Sequence, residues 1–204
     1  VGIIVPWNSP LAILAAKVGA ALAAGNTVVL KPAEQAAASI LTIAELFDAA
    51  GFPPGVVNVV SGLGEVAGDA LVSHPEVRKI AFTGSTETGR RISERAAPGL
   101  KQLAFELGGK SPNIVFADAD LDLATVGAST AAVFTGGAGQ TCVAGSRLLI
   151  HASIYDEFLE RIEQHVSSAV RLGDALDPAT TMGPIAFVEQ FEKVKSYIEI
   201  GQSE

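Results

Sequence analysis

Short apolar runs alternate with longer alanine-rich stretches through the first half of the chain, and this alternation limits the fold more than any other feature. Runs of strand length that are rich in Val and Ile, separated by helical patterns, predict parallel strands that are covered on both faces. The predicted strands are Val1–Val5, Thr27–Leu30, Val56–Val60 and Lys79–Phe82, and the predicted helices are Leu11–Ala24, Ala36–Ala50, Glu65–Ser73 and Thr86–Ala97. The fold class that follows is α/β, with a doubly wound parallel sheet.

The second half of the chain continues the mixed pattern with fewer elements, as expected for the start of a second α/β domain. Strands are predicted at Asn113–Phe116 and Arg147–Ile150, helices at Leu121–Phe134 and Ile154–Val170, and a connecting loop at Leu172–Pro184 before a final helix. The pair Gly108-Gly109 suits a hinge, because glycine accepts a wide range of backbone conformations. We therefore expect two domains, residues 1–107 and residues 108–204.

Composition and charge argue against several classes of protein. The 204 residues carry a net charge of −8 and 14 scattered basic residues, which argues against a nucleic-acid partner. A single cysteine rules out an internal disulfide framework, and the separated histidines His74, His151 and His165 give no metal-binding spacing, so we expect surface or packing roles for them and no metal. Neither a secretory leader nor an apolar stretch of membrane-spanning length is visible, so a cytoplasmic location without membrane association is the default expectation.

The only cysteine, Cys142, lies in the glycine-rich stretch FTGGAGQTCVAGSR, residues 134–147. The glycines in this stretch let the backbone approach a ligand closely and adopt conformations that are closed to other residues. Such a setting suits a nucleophile that is presented to a substrate. The alternative is that Cys142 is a small buried hydrophobe, which is the commoner role of a free cysteine.

An acid at the end of an apolar run is a candidate partner for this thiol. Glu106 lies in the segment LAFELGGKSPN, residues 103–113. A carboxylate among apolar neighbours is disfavoured in its charged form, and this favours proton abstraction, the task of a general base. The alternative is a solvated acid at the end of a helix or strand.

Ligands of doubly wound sheets bind at the carboxyl ends of the strands, so the residues that follow each strand are candidates for binding. After the first strand, Asn8 has an amide that can donate to an oxyanion, or else it caps the next helix. After the second strand, Lys31 and Glu34 suit a pair of sugar hydroxyls, or else they form a solvated salt bridge. At this point both alternatives stay open for Asn8, and both stay open for Lys31 and Glu34.

Two further strand exits carry glycines. Residues 61–67, SGLGEVA, look like a dinucleotide fingerprint, but Glu76 precedes a strand where the fingerprint requires an acid after one. Residues 82–89, FTGSTETG, open a helix whose free N–H groups suit a pyrophosphate, with Ser85 as a further donor or simply as a helix cap. Arg90-Arg91 stand where a P-loop requires Lys followed by Ser or Thr, which disfavours ATP hydrolysis.

The segments FELGGKSPNIVF at residues 105–116 and GQTCVAGSR at residues 139–147 together resemble the aldehyde dehydrogenase superfamily, and PWN, KPAE and FTGST precede them in the family's order. The resemblance implies that Cys142 is the nucleophile, Glu106 the general base and Asn8 the oxyanion donor. It also implies a set of cofactor-binding residues: Ile4, Pro6, Trp7, Lys31, Glu34, Gly64, Phe82, Gly84, Ser85, Thr88 and Leu107.

The resemblance further implies an activity, the oxidation of a small-molecule aldehyde to a carboxylic acid through a thiohemiacetal and a thioester on Cys142. NAD is the implied hydride acceptor, and it is favoured over NADP because Glu34 would repel a 2′-phosphate. Residues 1–107 would be part of the dinucleotide-binding domain and residues 108–204 part of the catalytic domain. The full-length parent is expected to be a homodimer or homotetramer. The chain covers well under half of the family's usual polypeptide, so we expect it to be inactive alone.

Some positions depart from the family's pattern or have weak assignments. Ser9 stands where many members have Phe, which predicts a wider or more polar substrate tunnel, and Gly137 stands where many have Asn, which predicts different hydrogen bonding in the loop. Gln190 and Lys193 could reach the nicotinamide ribose by analogy with the family. As residues of an amphipathic final helix, they are expected to be solvated instead.

Two rival functions belong to other classes. A cysteine hydrolase needs a histidine base within reach of Cys142. A non-catalytic binding relative would keep the fold but would have no need to keep Asn8, Glu106 and Cys142 together, and all three are present.

Overall fold

The computed structural model describes all residues from Val1 to Glu204, and the chain divides into two compact units, Val1–Gly108 and Gly109–Glu204. The strands are β1 Gly2–Val5, β2 Val28–Pro32, β3 Val57–Val59, β4 Lys79–Thr83, β5 Gln102–Glu106, β6 Pro112–Val115 and β7 Arg147–Ile150. The helices are α1 Pro10–Ala23, α2 Ala37–Ala49, α3 Asp69–Ser73, α4 Thr86–Ala96, α5 Leu121–Ala128, α6 Tyr155–Ala169 and α7 Val188–Ser203. The cofactor-binding and catalytic roles of the two parts of the chain stay predictions.

The first unit is built on one parallel sheet of five strands in the order β3-β2-β1-β4-β5. Successive side chains of a strand point to opposite faces. Ile3 and Val5 of β1 accordingly pack in a core with residues of α1 and α2, whereas Ile4 packs against a second core formed with α3 and α4. Helices therefore cover both faces of the sheet, and the predicted α/β class with a doubly wound parallel sheet is confirmed.

The edge strand β5 is not among the four strands predicted for this unit. Its register places Glu106 opposite Thr83, and the N–H of Gly84 donates to the carbonyl of Glu106 at 3.1 Å. The sequence signal is weak because the apolar run of this edge strand is only three residues long, is only partly covered and has a polar residue at each end. This edge strand places the backbone of Glu106 at the carboxyl end of the sheet.

The helix predicted at residues 65–73 begins differently from the prediction. Residues Gly64–Gly68 form a π-helical turn, and regular α-helix starts only at Asp69. Glycine is a poor helix former because it loses the most backbone freedom on folding, and a glycine lies at each end of this turn.

The second unit holds a two-stranded parallel sheet of β6 and β7 that packs with α5 and α6. Its core contains Val115, Ala128 and the fully buried Phe158. The predictions of two strands and of the long helix α6 are confirmed to within one residue at each end.

Helix α5 is shorter than predicted, because it ends at Ala128 instead of continuing to Phe134. Ser129 leaves the helical conformation, with φ −115° and ψ −91°, and its buried hydroxyl donates to the carbonyl of Thr125. A serine that bonds to the preceding turn competes with regular helix and bends it. The Ser129 carbonyl then accepts from the N–H groups of residues 132–134, so the chain turns towards the cysteine loop.

The segment between α6 and α7 is irregular, as predicted, apart from an isolated bridge between Leu172 and Met182. None of the helices combines the length and the apolar composition that crossing a membrane requires.

Candidate active site

A cavity of about 360 Å³ opens at the carboxyl edge of the five-stranded sheet. Five of the predicted cofactor residues line it: Ile4, Lys31, Glu34, Gly64 and Thr88. These residues come from β1, β2, the 3-10 turn that follows β2, the π-helical turn and α4, so folding brings together segments that are far apart in the sequence.

Lys31 is the chemically unusual member of this cavity. The residue is only 2% exposed, and its ammonium donates to the Pro32 carbonyl at 2.8 Å and lies 3.5 Å from a carboxylate oxygen of Glu34. An ammonium has three protons, and a buried charge is costly unless its hydrogen bonds are satisfied. The Lys31 ammonium therefore keeps one donor for a ligand. The ion pair of the alternative is present, but it is not fully solvated, because the lysine is buried while the Glu34 side chain is partly exposed.

Two arginines of α4 also line this cavity, although the sequence predicts no binding role for them. Arg95 forms a double ion pair with Asp69, with N–O distances of 2.8 and 2.9 Å. Arg91, one turn earlier, forms no ion pair within the chain, although acidic residues, Glu65 among them, line the same cavity. The spacing of four residues on one helix is the sequence signal that places both guanidinium groups on one face.

The first turn of α4 is capped by its own residues. The hydroxyl of Ser85 accepts from the N–H of Thr88 at 3.1 Å and lies 2.8 Å from the Thr88 hydroxyl, so the alternative role of Ser85 as a helix cap is present, and its binding of a cofactor stays a prediction. The N–H groups of Thr86 and Glu87 have no partner within the chain, which suits an anion. Gly84 lies just before this turn, and its N–H donates to the carbonyl of Glu106 at the end of β5.

Phe82 lies in the core and not on an open surface. It is buried and packs edge-on against the ring of Phe105, with ring centroids 6.1 Å apart. Leu107 is half-buried, and a Cβ built at Gly89 would lie 3.0 Å from its side chain, so it packs against α4. Both predicted cofactor residues therefore support the end of the sheet, and neither lines the cavity.

The exit of β1 carries Pro6, Trp7 and Asn8, all of which are half-buried. The residue that precedes α1 is Ser9, so the alternative in which Asn8 is the N-cap of that helix is wrong.

Glu106 ends β5 with an exposed side chain, so the expected apolar surroundings are not found. The reason is its position on the edge strand. Lys17 lies near it: partial burial lowers the pKa of Lys17, and the Glu106 carboxylate offsets part of that shift. Lys17 has no predicted role, yet it is the only charged residue in the apolar helix α1, a signal that could have found it.

Thr83 is a second residue without a predicted role. It is 6% exposed, and its hydroxyl has no hydrogen-bond partner. Buried hydroxyl groups are normally satisfied, so an orphan one at the carboxyl edge of the sheet lowers the stability of the folded chain. The sequence gives no hint of this, because burial and hydrogen bonding at this position depend on the pairing of β4 with β5.

Thr83→Val is expected to raise the free energy of unfolding of the first unit by about 1 kcal/mol, because it removes an unsatisfied buried hydroxyl and keeps the shape of the side chain. Urea denaturation measures the change. Thr125→Val is the matched control, since the buried Thr125 hydroxyl donates to the Leu121 carbonyl at 2.6 Å, and its loss should destabilise the second unit. A Thr83→Val chain less stable than the unaltered one would contradict the assignment.

Cys142 is partly exposed, so the alternative of a small residue buried in the core is wrong. The loop before it adopts left-handed backbone conformations at Ala138, with φ 52°, and at Gly139, with φ 69°. A Cβ at Gly139 would lie 2.7 Å from the carbonyl oxygen of Val133, so only glycine fits there. The backbone is therefore fixed three residues before the sulfur.

A second glycine, Gly109, lets the first residues of the second unit approach the cysteine. A Cβ at Gly109 would lie 2.8 Å from the carbonyl oxygen of Cys142. Close by, Nε of Arg147 donates to the Lys110 carbonyl at 2.8 Å. Cys142 and Arg147 are thus packed against Gly109 and Lys110 within the second unit.

The three histidines take local structural roles, as expected. His74 and His151 each accept a backbone N–H from two residues further along the chain, at 3.3 and 3.2 Å. His165 lies 3.1 Å from the hydroxyl of Thr130. None of them is hydrogen-bonded to Cys142, so the structure gives the cysteine hydrolase no base.

Gln190 is not the solvated helix residue that the sequence pattern predicts. It is half-buried, and its Nε2 donates at 2.9 Å to Oε1 of Gln140, two residues before Cys142. Lys193, one turn later on α7, is exposed, as predicted. The sequence pattern misses this contact because the two glutamines are fifty residues apart.

Known proteins are similar to this chain in fold and in sequence. An NAD-dependent aldehyde dehydrogenase from Sinorhizobium meliloti aligns with a TM-score of 0.93 and 44% identity, over 99% of this chain and 40% of that one. A betaine aldehyde dehydrogenase from Staphylococcus aureus in complex with NAD⁺ aligns with a TM-score of 0.91 and 39% identity, over 99% and 40%. Hydroxyisobutyraldehyde dehydrogenase from Mycolicibacterium austroafricanum is 52% identical over 201 residues, which are 98% of this chain and 39% of that protein.

The fold and these matches define the class, an α/β protein related to nicotinamide-dependent dehydrogenases. The sequence profile of the Aldehyde dehydrogenase family matches residues 1–204, so the chain belongs to the aldehyde dehydrogenase family, as its motifs predict. The chain spans about two fifths of the length of the curated relatives that it matches.

Proposed function

We propose that the complete polypeptide containing this chain oxidises a small-molecule aldehyde to a carboxylic acid with NAD as the hydride acceptor. The observation that carries the proposal is the cavity in which the buried Lys31 ammonium keeps an unused donor beside the Glu34 carboxylate. The family match over the whole chain and the relative in complex with NAD⁺ support it.

The residues of the first unit fit a dinucleotide. Lys31 has a donor and Glu34 an acceptor for the hydroxyls of a ribose, and the free N–H groups at the start of α4 suit a pyrophosphate. When bound, NAD supplies an acceptor for the hydride that the substrate loses. The chain's own contribution is to bind and orient the two reactants.

Cys142 is the nucleophile of the proposed reaction. Its thiolate attacks the aldehyde carbon and forms a C–S bond, and the carbonyl oxygen becomes an oxyanion that the Asn8 amide and the Cys142 backbone N–H stabilise. Loss of a hydride from the same carbon leaves a thioester on Cys142. Cys142 is partly exposed, so the residue is not enclosed in the hydrophobic core.

Glu106 is the general base for release of the product. It takes a proton from water while the water oxygen attacks the thioester carbon, after which the C–S bond breaks and the carboxylic acid leaves with the thiolate restored. The exposed Glu106 side chain is free to accept that proton. Since relatives that transfer the acyl group to coenzyme A generally lack this base, Glu106 favours water as the acyl acceptor. A relative from Rattus norvegicus that is named cytosolic supports a cytoplasmic location, and a homo-oligomeric parent is part of the proposal.

We expect the complete polypeptide to reduce NAD in the presence of aldehydes, and to prefer NAD over NADP. Glu34→Gln should lower the ratio of kcat/KM for NAD to that for NADP by about tenfold, because a neutral amide no longer repels the 2′-phosphate. The measurement is the initial rate of formation of the reduced nicotinamide over aliphatic, aromatic and semialdehyde substrates, with each cofactor.

The matched control is Glu45→Gln, which removes the same charge from an exposed position on α2 and should leave the ratio unchanged. An absence of reduced nicotinamide with every aldehyde would overturn the proposed activity. An unchanged ratio in Glu34→Gln would overturn only the role of Glu34 in choosing the cofactor.

A further inference from the structure

A chain of side-chain amides links helix α7 to the cysteine loop within the second unit. Nε2 of Gln190 donates to Oε1 of Gln140 at 2.9 Å, and Nε2 of Gln140 donates to the Gly137 carbonyl at 3.0 Å. The backbone N–H of Gln140 donates to the same carbonyl at 3.1 Å. The amide of Gln140 therefore both accepts and donates, and its orientation is set by these partners.

The loop segment that this chain of amides reaches has a costly backbone. Ala138 adopts a left-handed conformation with φ 52°, which a residue with a Cβ adopts only when its surroundings hold it there. Gly139 follows with φ 69°, and Cys142 comes three residues later. A strained loop that carries a partly exposed sulfur needs contacts from elsewhere in the fold to stay in one conformation.

Helix α7 is well placed to supply such contacts. Gln190 lies in its first turn and is half-buried, whereas the remaining polar side chains of the helix are mostly exposed. The chain just before α7 touches the loop as well, since the N–H of Gly183 approaches the Gly136 carbonyl at 3.4 Å. The stronger of these two contacts is the one that Gln190 makes.

We infer that Gln190 is a positioning residue, which holds the nucleophile loop in its closed conformation through Gln140. The role of Cys142 as a nucleophile rests on the proposed function, but the positioning of its loop by Gln190 does not. Loss of the Gln190 donor removes one hydrogen bond that holds the loop, so the loop leaves this conformation more often and the partly buried Cys142 becomes more exposed.

The rate of alkylation of Cys142 by iodoacetamide tests this inference without aldehyde or cofactor. Cys142 is the only cysteine of the 204-residue chain, so the rate reports on one sulfur. Gln190→Met and Gln190→Glu should each react about threefold to tenfold faster than the unaltered chain, the factor that corresponds to one net hydrogen bond. Glu has the size of Gln but no donor when ionised, so a role confined to packing would leave Gln190→Glu at the original rate.

The controls are Gln164→Met and Gln164→Glu, since Nε2 of Gln164 donates to Glu160 at 3.0 Å on the exposed face of α6. They should not change the rate. A Gln140→Met variant should react faster, and adding Gln190→Met to it should give no further increase. All rates are measured under conditions in which far-UV circular dichroism and the urea midpoint show that each variant is folded.

Rates within about 1.5-fold of the unaltered chain for both Gln190 variants would overturn the inference, as would an equal increase in the Gln164 controls or independent, multiplying effects of Gln140→Met and Gln190→Met. An inactive complete polypeptide would refute the proposed function but would not change these rates. A failure of the positioning role and a failure of the proposed activity are therefore distinguishable.

Discussion

Cys142→Ala is expected to lower kcat/KM for aldehyde oxidation by the complete polypeptide by a factor of about 10⁴ or more. The thiolate makes the only covalent bond between enzyme and substrate, so every later step depends on it. No second cysteine exists in residues 1–204, and none of the three histidines is hydrogen-bonded to the sulfur. Initial rates of formation of reduced nicotinamide measure the loss.

Val143→Ala is the matched control for this substitution. Val143 neighbours the nucleophile and is 74% exposed, so shortening it alters the same loop without removing the thiol. We expect activity within about threefold of the unaltered enzyme, because exposed side chains contribute little to stability. If Cys142→Ala kept activity within tenfold of the unaltered enzyme, Cys142 could not be the nucleophile.

Glu106→Gln is expected to separate the two halves of the reaction. The amide keeps the shape of the side chain but cannot take a proton from water, so formation of the thioester continues while its hydrolysis slows by a factor of about 10²–10⁴. Rapid mixing should then show a burst of reduced nicotinamide close to one equivalent per Cys142, followed by a slow steady rate. A steady rate equal to that of the unaltered enzyme would show that Glu106 is not the base.

The matched control for Glu106→Gln is Glu94→Gln, which makes the same change at an exposed position on α4 away from the cavity. It should show neither a burst nor a slower steady rate. A burst in this control as well would mean that the burst in Glu106→Gln comes from the loss of a negative charge in the first unit and not from the position of Glu106.

The core of the first unit could be predicted because its strands are short apolar runs. Ile3, Leu30 and Ile80 are fully or almost fully buried, and a strand covered on both faces leaves an uninterrupted apolar signal in the sequence. The edge strand β5 escaped prediction for the opposite reason, since its residues are only partly covered. The early end of α5 depends on one hydroxyl of Ser129, a local bond that hydrophobic periodicity cannot reveal.

The candidate site was predictable where a motif has a fixed local geometry. Lys31, Glu34 and Thr88 reach one cavity because parallel strands place their carboxyl ends at the same edge of the sheet. Thr83 was not predictable, because its surroundings come from the pairing of strands that are distant in the sequence. Lys17 does carry a signal, since it is the only charged residue in the apolar helix α1.

The central claim is that substrate is carried as a thioester on Cys142, and mass spectrometry of the acid-quenched Glu106→Gln polypeptide tests it most directly. After mixing with NAD and an aldehyde, the peptide that contains Cys142 should gain the mass of the aldehyde less two hydrogen atoms, because an acyl group replaces the thiol proton. Formation of reduced nicotinamide while that peptide keeps its original mass would contradict the account.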